Sequence, residues 1–143
     1  AAFGSKASLY ARVLERYNEI DAIPFQELLR PDRPVAQSLA SVLEEAAHRY
    51  AADPTAAGCL VLEGTRCNDP QAREAAQALH AAAEEMIRAY VAARHPREAD
   101  RITDFVGTTM AGMSAKARNG QGLDRLLATA RLAGLAIARA LAE

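Results

Sequence analysis

Along most of this chain apolar residues return every three or four positions, the period of a helix packed on one face, and no segment makes a convincing strand. Six helices are predicted. The first follows Ser5, a good N-cap, carries Leu9, Val13, Leu14, Tyr17 and Ile20 along one stripe, and ends before Pro24, which cannot continue the ladder. Residues 25–34, with Pro31 and Pro34, read as a connector holding at most a short turn. The second helix opens at Pro34 and runs to about Ala51, burying Val35, Leu39, Val42, Leu43, Ala46 and Tyr50. After the break "ADPTAAG" comes a short third helix, "GCLVLEGTRC". Asp69 caps the fourth, the longest, which closes at Pro96 and turns Ala72, Ala75, Leu79, Ala82, Met86, Ile87, Tyr90 and Val91 inward. The fifth spans Arg97 to Arg118 and stops at Asn119–Gly120, a left-handed cap; the sixth runs from Leu123 to the end.

The sixth helix is apolar on two sides. One stripe holds Leu126, Ala130, Ala133, Ile137 and Leu141, the other Leu123, Leu127, Gly134, Leu135 and Ala138. A helix with two apolar faces must be covered twice, and in a domain of this size the second cover is expected to be another copy of the chain. The fifth helix adds a small-residue strip, Gly107, Ala111, Gly112 and Ala115, that lets helices approach closely. These features predict a homodimer through an intersubunit four-helix bundle, with Gly107, Ala111, Gly112, Leu127, Gly134, Leu135 and Ala138 at its interface.

Composition sharpens this picture. Half of the residues are apolar, largely alanine, and aromatics are only 5%, so an all-α fold is favoured. A net charge of −1, with no basic block, gives the chain by itself no electrostatic footprint for nucleic acid. Two cysteines without a C-x-x-C pattern, no signal peptide and no membrane-length apolar run lead us to expect a soluble protein of the reducing cytoplasm, with no membrane association.

Candidate chemistry is sparse. Glu45 and His48 have the i, i+3 spacing of di-metal carboxylate bundles, but His80 and His95 lack the matching glutamate, so no metal site is expected. No Gly-rich phosphate loop, G-x-S-x-G or Cys–His signature appears, and no catalytic residue or cofactor is expected. Cys59 and Cys67 fall about 80° apart around a helix and read as small core fillers. Methionines, aromatics and threonines on the predicted third to fifth helices suit an adaptable cavity. Leu43, Leu62, Arg66, Leu79, Met86, Phe105 and Thr109 are its expected lining, the competing reading being an ordinary core with Glu63 and Arg66 reaching water.

Three stretches carry a family resemblance. "AAFGSKASLYARVLERY" resembles the exit from the helix-turn-helix of TetR-family transcriptional regulators, where a Tyr-x-x-Phe-x-x-Lys-x-x-Leu pattern runs into a long linking helix. Phe3, Lys6 and Leu9 match, and the tyrosine would fall just before Ala1. "DPTAAGCLVLEG" resembles the lead-in to a short central helix of that family, and the stretch from Met110 to Leu141 resembles its last two helices. The resemblance implies an all-α, six-helix effector-binding and dimerisation domain whose DNA-binding head lies outside this sequence. Residues 1–22 would be the end of that head with the linking helix, and residues 23–143 the sensor. It implies that Lys6 belongs to the DNA-backbone rim, that operator DNA is a partner through the head, and that an unknown small molecule is the effector. The competing reading is a free-standing helical ligand-binding or scaffold module without DNA binding.

Overall fold

The structure is a computed structural model and describes residues 6–143; Phe3 and the expected Ser5 cap lie outside the described residues, as does the side chain of Ile20. Among these residues it has seven α-helices and no strand: α1 Lys6–Ile20, α2 Phe25–Leu28, α3 Val35–Ala51, α4 Leu60–Gly64, α5 Pro70–Ala92, α6 Ala99–Arg118 and α7 Leu123–Leu141. A single 3-10 turn occupies Pro54–Ala56. The six predicted helices are α1 and α3 to α7. The additional one, α2, is four residues long and sits in the proline-rich connector, with Pro24 at its N-cap.

Local chemistry fixes the ends. The Asp69 carboxylate accepts the Ala72 N–H at 2.9 Å and caps α5. At the end of α6 the Gln121 N–H reaches the Lys116 carbonyl at 3.0 Å and the Gly120 N–H the Ala117 carbonyl at 3.0 Å, a Schellman closure. It needs Gly120 at φ +89°.

The chain forms two compact units. One gathers the chain up to Ala22 with Cys59–Ala83, the other Ile23–Gly58 with Glu84–Glu143, so α5 contributes to both and residues 59–83 cluster with the first segment. In the first unit α1 meets α4, and Leu14, Ala72 and Ala76 are buried. Of the described side chains in the stripe expected on α1, Leu14 is buried and Tyr17 half-buried, whereas Leu9 and Val13 stay exposed.

In the second unit α3 lies along α7 and also packs on α6. Val35, Leu39, Leu43 and Tyr50 of α3 are buried, as are Ile102, Val106 and Met113 of α6 and Leu126, Ala130 and Ile137 of α7. Each fully buried branched side chain of this kind contributes roughly 1.5–3 kcal/mol. The closest approach is at Gly134, where a Cβ would stand 3.0 Å from the Ala40 Cβ.

The stripe expected on α5 holds at Ala72, Ile87 and Val91 and is corrected between them, where Ala76 rather than Ala75 is buried. Ala72, Ala76, Ile87 and Val91 are buried, while Ala82 and Met86 are exposed. Tyr90 is half-buried. Its hydroxyl donates to the Arg30 carbonyl at 2.6 Å and its ring carries the Arg94 guanidinium at 4.8 Å, so it fastens the connector rather than filling the core.

Candidate functional site

The outer side of α6 and α7 is the most distinctive surface of the second unit. Leu126, Ala130, Ala133, Ile137 and Leu141 turn inward, which sends residues 128, 132 and 135 outward on α7. Leu132 and Leu135 are each 70% exposed, an unusual degree for leucine in a well-packed helical layer. On α6 Phe105 is 40% exposed. It lines a groove of about 250 Å³ with Ile102, Ala136, Ile137 and Ala140. Nearer the α6–α7 turn a groove of about 510 Å³ is lined by Thr108, Thr109, Gly112, Lys116, Arg125 and Thr129.

The residues expected at a dimer interface divide between two surroundings. Leu135 and Gly112 are open, with no atom within 4 Å of a Cβ built at Gly112. Leu127 and Gly134 are buried within the chain, and Gly134 serves the approach of α3. Ala138, half-buried, joins Gly134, Leu135, Ala36 and Ala40 along a groove of about 440 Å³ between α3 and α7. Ala111 is half-buried. Gly107 and Gly112 do not form one strip, because five residues turn a helix by roughly 140°. The Glu84 carboxylate lies beside Gly107, 3.4 Å from where a Cβ would be. Leu132 escaped the sequence reading, although it stands three residues before Leu135.

The expected ligand-lining residues also separate. Leu43 is fully buried among core side chains, Met86 is 39% exposed, and Phe105 and Thr109 line the two α6–α7 grooves. Leu62 and Leu79 are half-buried and Arg66 is exposed, all three in the first unit. That unit also holds a cluster the sequence did not reveal. The Tyr10 hydroxyl lies against Gly64, and Tyr17 donates to the Cys59 sulfur at 3.8 Å. Burial pushes the Tyr10 phenol up, helped by Cys67 and Cys59. Neither cysteine is in a disulfide, and both are half-buried rather than core fillers. Lys6 is exposed at the start of α1.

Among the described residues no group of three or more His, Cys, Asp or Glu side chains could hold a metal ion. The Glu45 carboxylate instead takes Arg49 at 2.7 Å. No described helix is long and apolar enough to cross a membrane.

One partly shielded carboxylate ties the end of α7 to the start of α3. Ala142 adopts a left-handed conformation (φ +54°), and Glu143 then accepts the Ala36 N–H at 2.8 Å and meets the His95 Nε2 at 2.8 Å. Burial pushes this carboxyl up, but the Ala36 amide, His95 and the Val35 amide outweigh it and hold it below the usual range. A lowered carboxyl stabilises the fold above the ordinary glutamate range and loses that contribution as pH falls through it. Glu143→Gln is therefore expected to cost about 1–2 kcal/mol at pH 7, through the lost charge at a helix N-terminus and its charge-assisted bonds. In urea titrations at several pH values the gap between variant and parent should close below about pH 4, near the unperturbed glutamate value. A gap unchanged at pH 3 would contradict this role.

No family model matches the chain. It is 52% identical over all 143 residues to the HTH-type transcriptional repressor BdcR of Escherichia coli (strain K12), spanning 73% of that protein. Two cysteine-substituted structures of the TetR family transcriptional regulator CifR, each complexed with 26-base-pair operator DNA, share its fold with TM-scores of 0.82. Their identities are 24% and 23%, over 94% of this chain and 76% of theirs. The chain belongs to the TetR family of transcriptional regulators. A second repressor of the same bacterium, ComR, is 26% identical over 89% of this chain and 66% of its own length. The TetR-family fold accounts for the all-helical layer of α3, α6 and α7, and the relatives are regulators of transcription rather than enzymes.

Proposed function

We propose that this chain is the sensing and dimerising part of a cytoplasmic repressor that holds operator DNA as a homodimer and releases it when a small molecule binds. The whole-length identity to the repressor BdcR carries the repressor reading. The dimer is supported by the outer side of α6 and α7, where Phe105, Leu132 and Leu135 are exposed together with the open Gly112. The proposed seam is revised accordingly: Leu127 and Gly134 support it from inside the chain, and Leu132 and Leu135 meet the second copy. For the effector, Leu62, Arg66 and Leu79 of the first unit remain the candidate contacts. An effector needs only about 1–3 kcal/mol of differential affinity to shift such a regulator between states.

DNA reading is assigned to a helix-turn-helix segment outside these 143 residues, in keeping with a relative named HTH-type that the chain spans over 73%. Lys6, exposed on α1, is the proposed rim contact to the DNA backbone. A free-standing module without DNA binding is not favoured, since both repressors match along most of the chain. A gel shift tests the assignment. The 143-residue chain, with 17 basic and 18 acidic side chains, is expected to give no specific complex at physiological salt. The protein extended by its preceding coding sequence should give one that a cognate small molecule dissolves. Specific operator binding by the 143-residue chain alone would overturn the assignment.

A further inference from the structure

The groove beside the α6–α7 turn has a chemistry that neither the seam nor the effector contacts use. Its volume of about 510 Å³ falls within the roughly 300–1,000 Å³ of small-molecule sites. The buried side chains of Met113 and Leu126 give it an apolar floor. Around that floor stand Thr108 and Lys116 of α6, Arg125 of α7 and, between the two helices, Gln121. All four side chains can donate a hydrogen bond. No aspartate or glutamate lines the groove, and Asp124, although next to Arg125 in the chain, is not part of it.

The two cations lack the partners that other basic side chains find. Arg30, Arg49, Arg88, Arg101 and Arg131 meet the carboxylates of Asp32, Glu45, Glu85, Glu98 and Glu44. Among the described residues no carboxylate pairs with Lys116 or Arg125, and both are exposed. A cleft lined by one sign of charge concentrates ions of the other. A second copy of the chain is a poorer occupant. The groove shares only Gly112 with the residues assigned to the seam, and closing a dry protein surface over two unpaired cations is strongly unfavourable. Gly112 itself, with no atom within 4 Å of a Cβ built there, leaves room beside the floor.

We propose that this groove is a second ligand site, taking a small organic carboxylate with an apolar body. Lys116 and Arg125 hold the carboxylate through charge-assisted hydrogen bonds, Thr108 and Gln121 add donors, and the body lies over Met113 and Leu126. The site is separate from the effector contacts assigned to the first unit, and the carboxylate supplies the negative charge that the lining itself omits.

The test titrates phenylbutyrate into the isotope-labelled 143-residue chain, with phenylbutanol and inorganic phosphate as matched probes. Phenylbutyrate should shift the Gly112, Lys116 and Arg125 amide resonances with a dissociation constant on the order of 1 mM, as suits a ligand of that size. Lys116→Gln and Arg125→Gln should each weaken binding about three- to tenfold. Arg139→Gln makes the same change of net charge elsewhere on α7 and should leave binding as in the parent. Equal binding of phenylbutanol would remove the role of the cations, and equal binding of phosphate that of the floor; either would overturn the proposal. So would a loss in Arg139→Gln as large as in the groove variants, which is general charge attraction, or no shift at all, the result if a second copy closes the groove. Failure of the dimer reading has a different signature: the mass of a single chain, with the phenylbutyrate shifts retained.

Discussion

The Leu132→Glu, Leu135→Glu double variant is expected to keep its helical content and to run as a monomer. Both side chains are 70% exposed on α7, three residues apart and so on one face. Neither packs in the core of the second unit, so the substitutions remove little that holds a single chain together. In a two-fold assembly each face meets its own copy, and the change would introduce four carboxylates into one seam. Uncompensated charge in a closing interface costs several kcal/mol, enough to cancel association at micromolar concentration, where the whole binding free energy is about 8 kcal/mol. Circular dichroism and light scattering together check the outcome. A double variant that stays dimeric would place the seam elsewhere.

Gly134→Leu is expected to act in the opposite way, unfolding the chain more easily without first separating copies. The Cβ position at residue 134 stands 3.0 Å from the Ala40 Cβ, and α3 and α7 form the most extensive helix pair of the structure. A branched side chain there must push the two helices apart, at a cost of about 1–3 kcal/mol for an overpacked core position. Gly134→Ala is gentler, since better helix propensity, worth up to about 1 kcal/mol, offsets a contact that a few tenths of an ångström relieves. Urea unfolding should show a lowered midpoint for Gly134→Leu and a near-parental one for Gly134→Ala. Equal midpoints for Gly134→Leu and the parent would show that α3 does not hold this approach.

Much of this was legible in the sequence, because helix limits are local. Pro24, Pro34, Pro70 and Pro96, the Asp69 cap and the Gly120 closure each act within a few residues, and the described helices end close to them. What covers a face is not local. The two apolar stripes of α7 announced two covers, but α3 supplies the one over Gly134, a fact set by Ala40, about ninety positions earlier. Alanine blurred the rest. In α5, alanines at 75, 76, 78, 81, 82 and 83 make neighbouring phases equally apolar, so Ala75 was expected inward where Ala76 is buried, although Ala72, Ile87 and Val91 were placed correctly. The Glu143 cap was invisible for the same reason as the α3 cover, since its partners are the remote Ala36 and His95.

The mass of the chain in solution decides most directly whether two copies assemble through α6 and α7. Light scattering behind a sizing column, at tens of micromolar, should give about twice the 15.3 kDa of one chain for the parent and for Gly134→Ala. A parent mass near 15.3 kDa under those conditions would contradict the dimeric regulator built on α6 and α7.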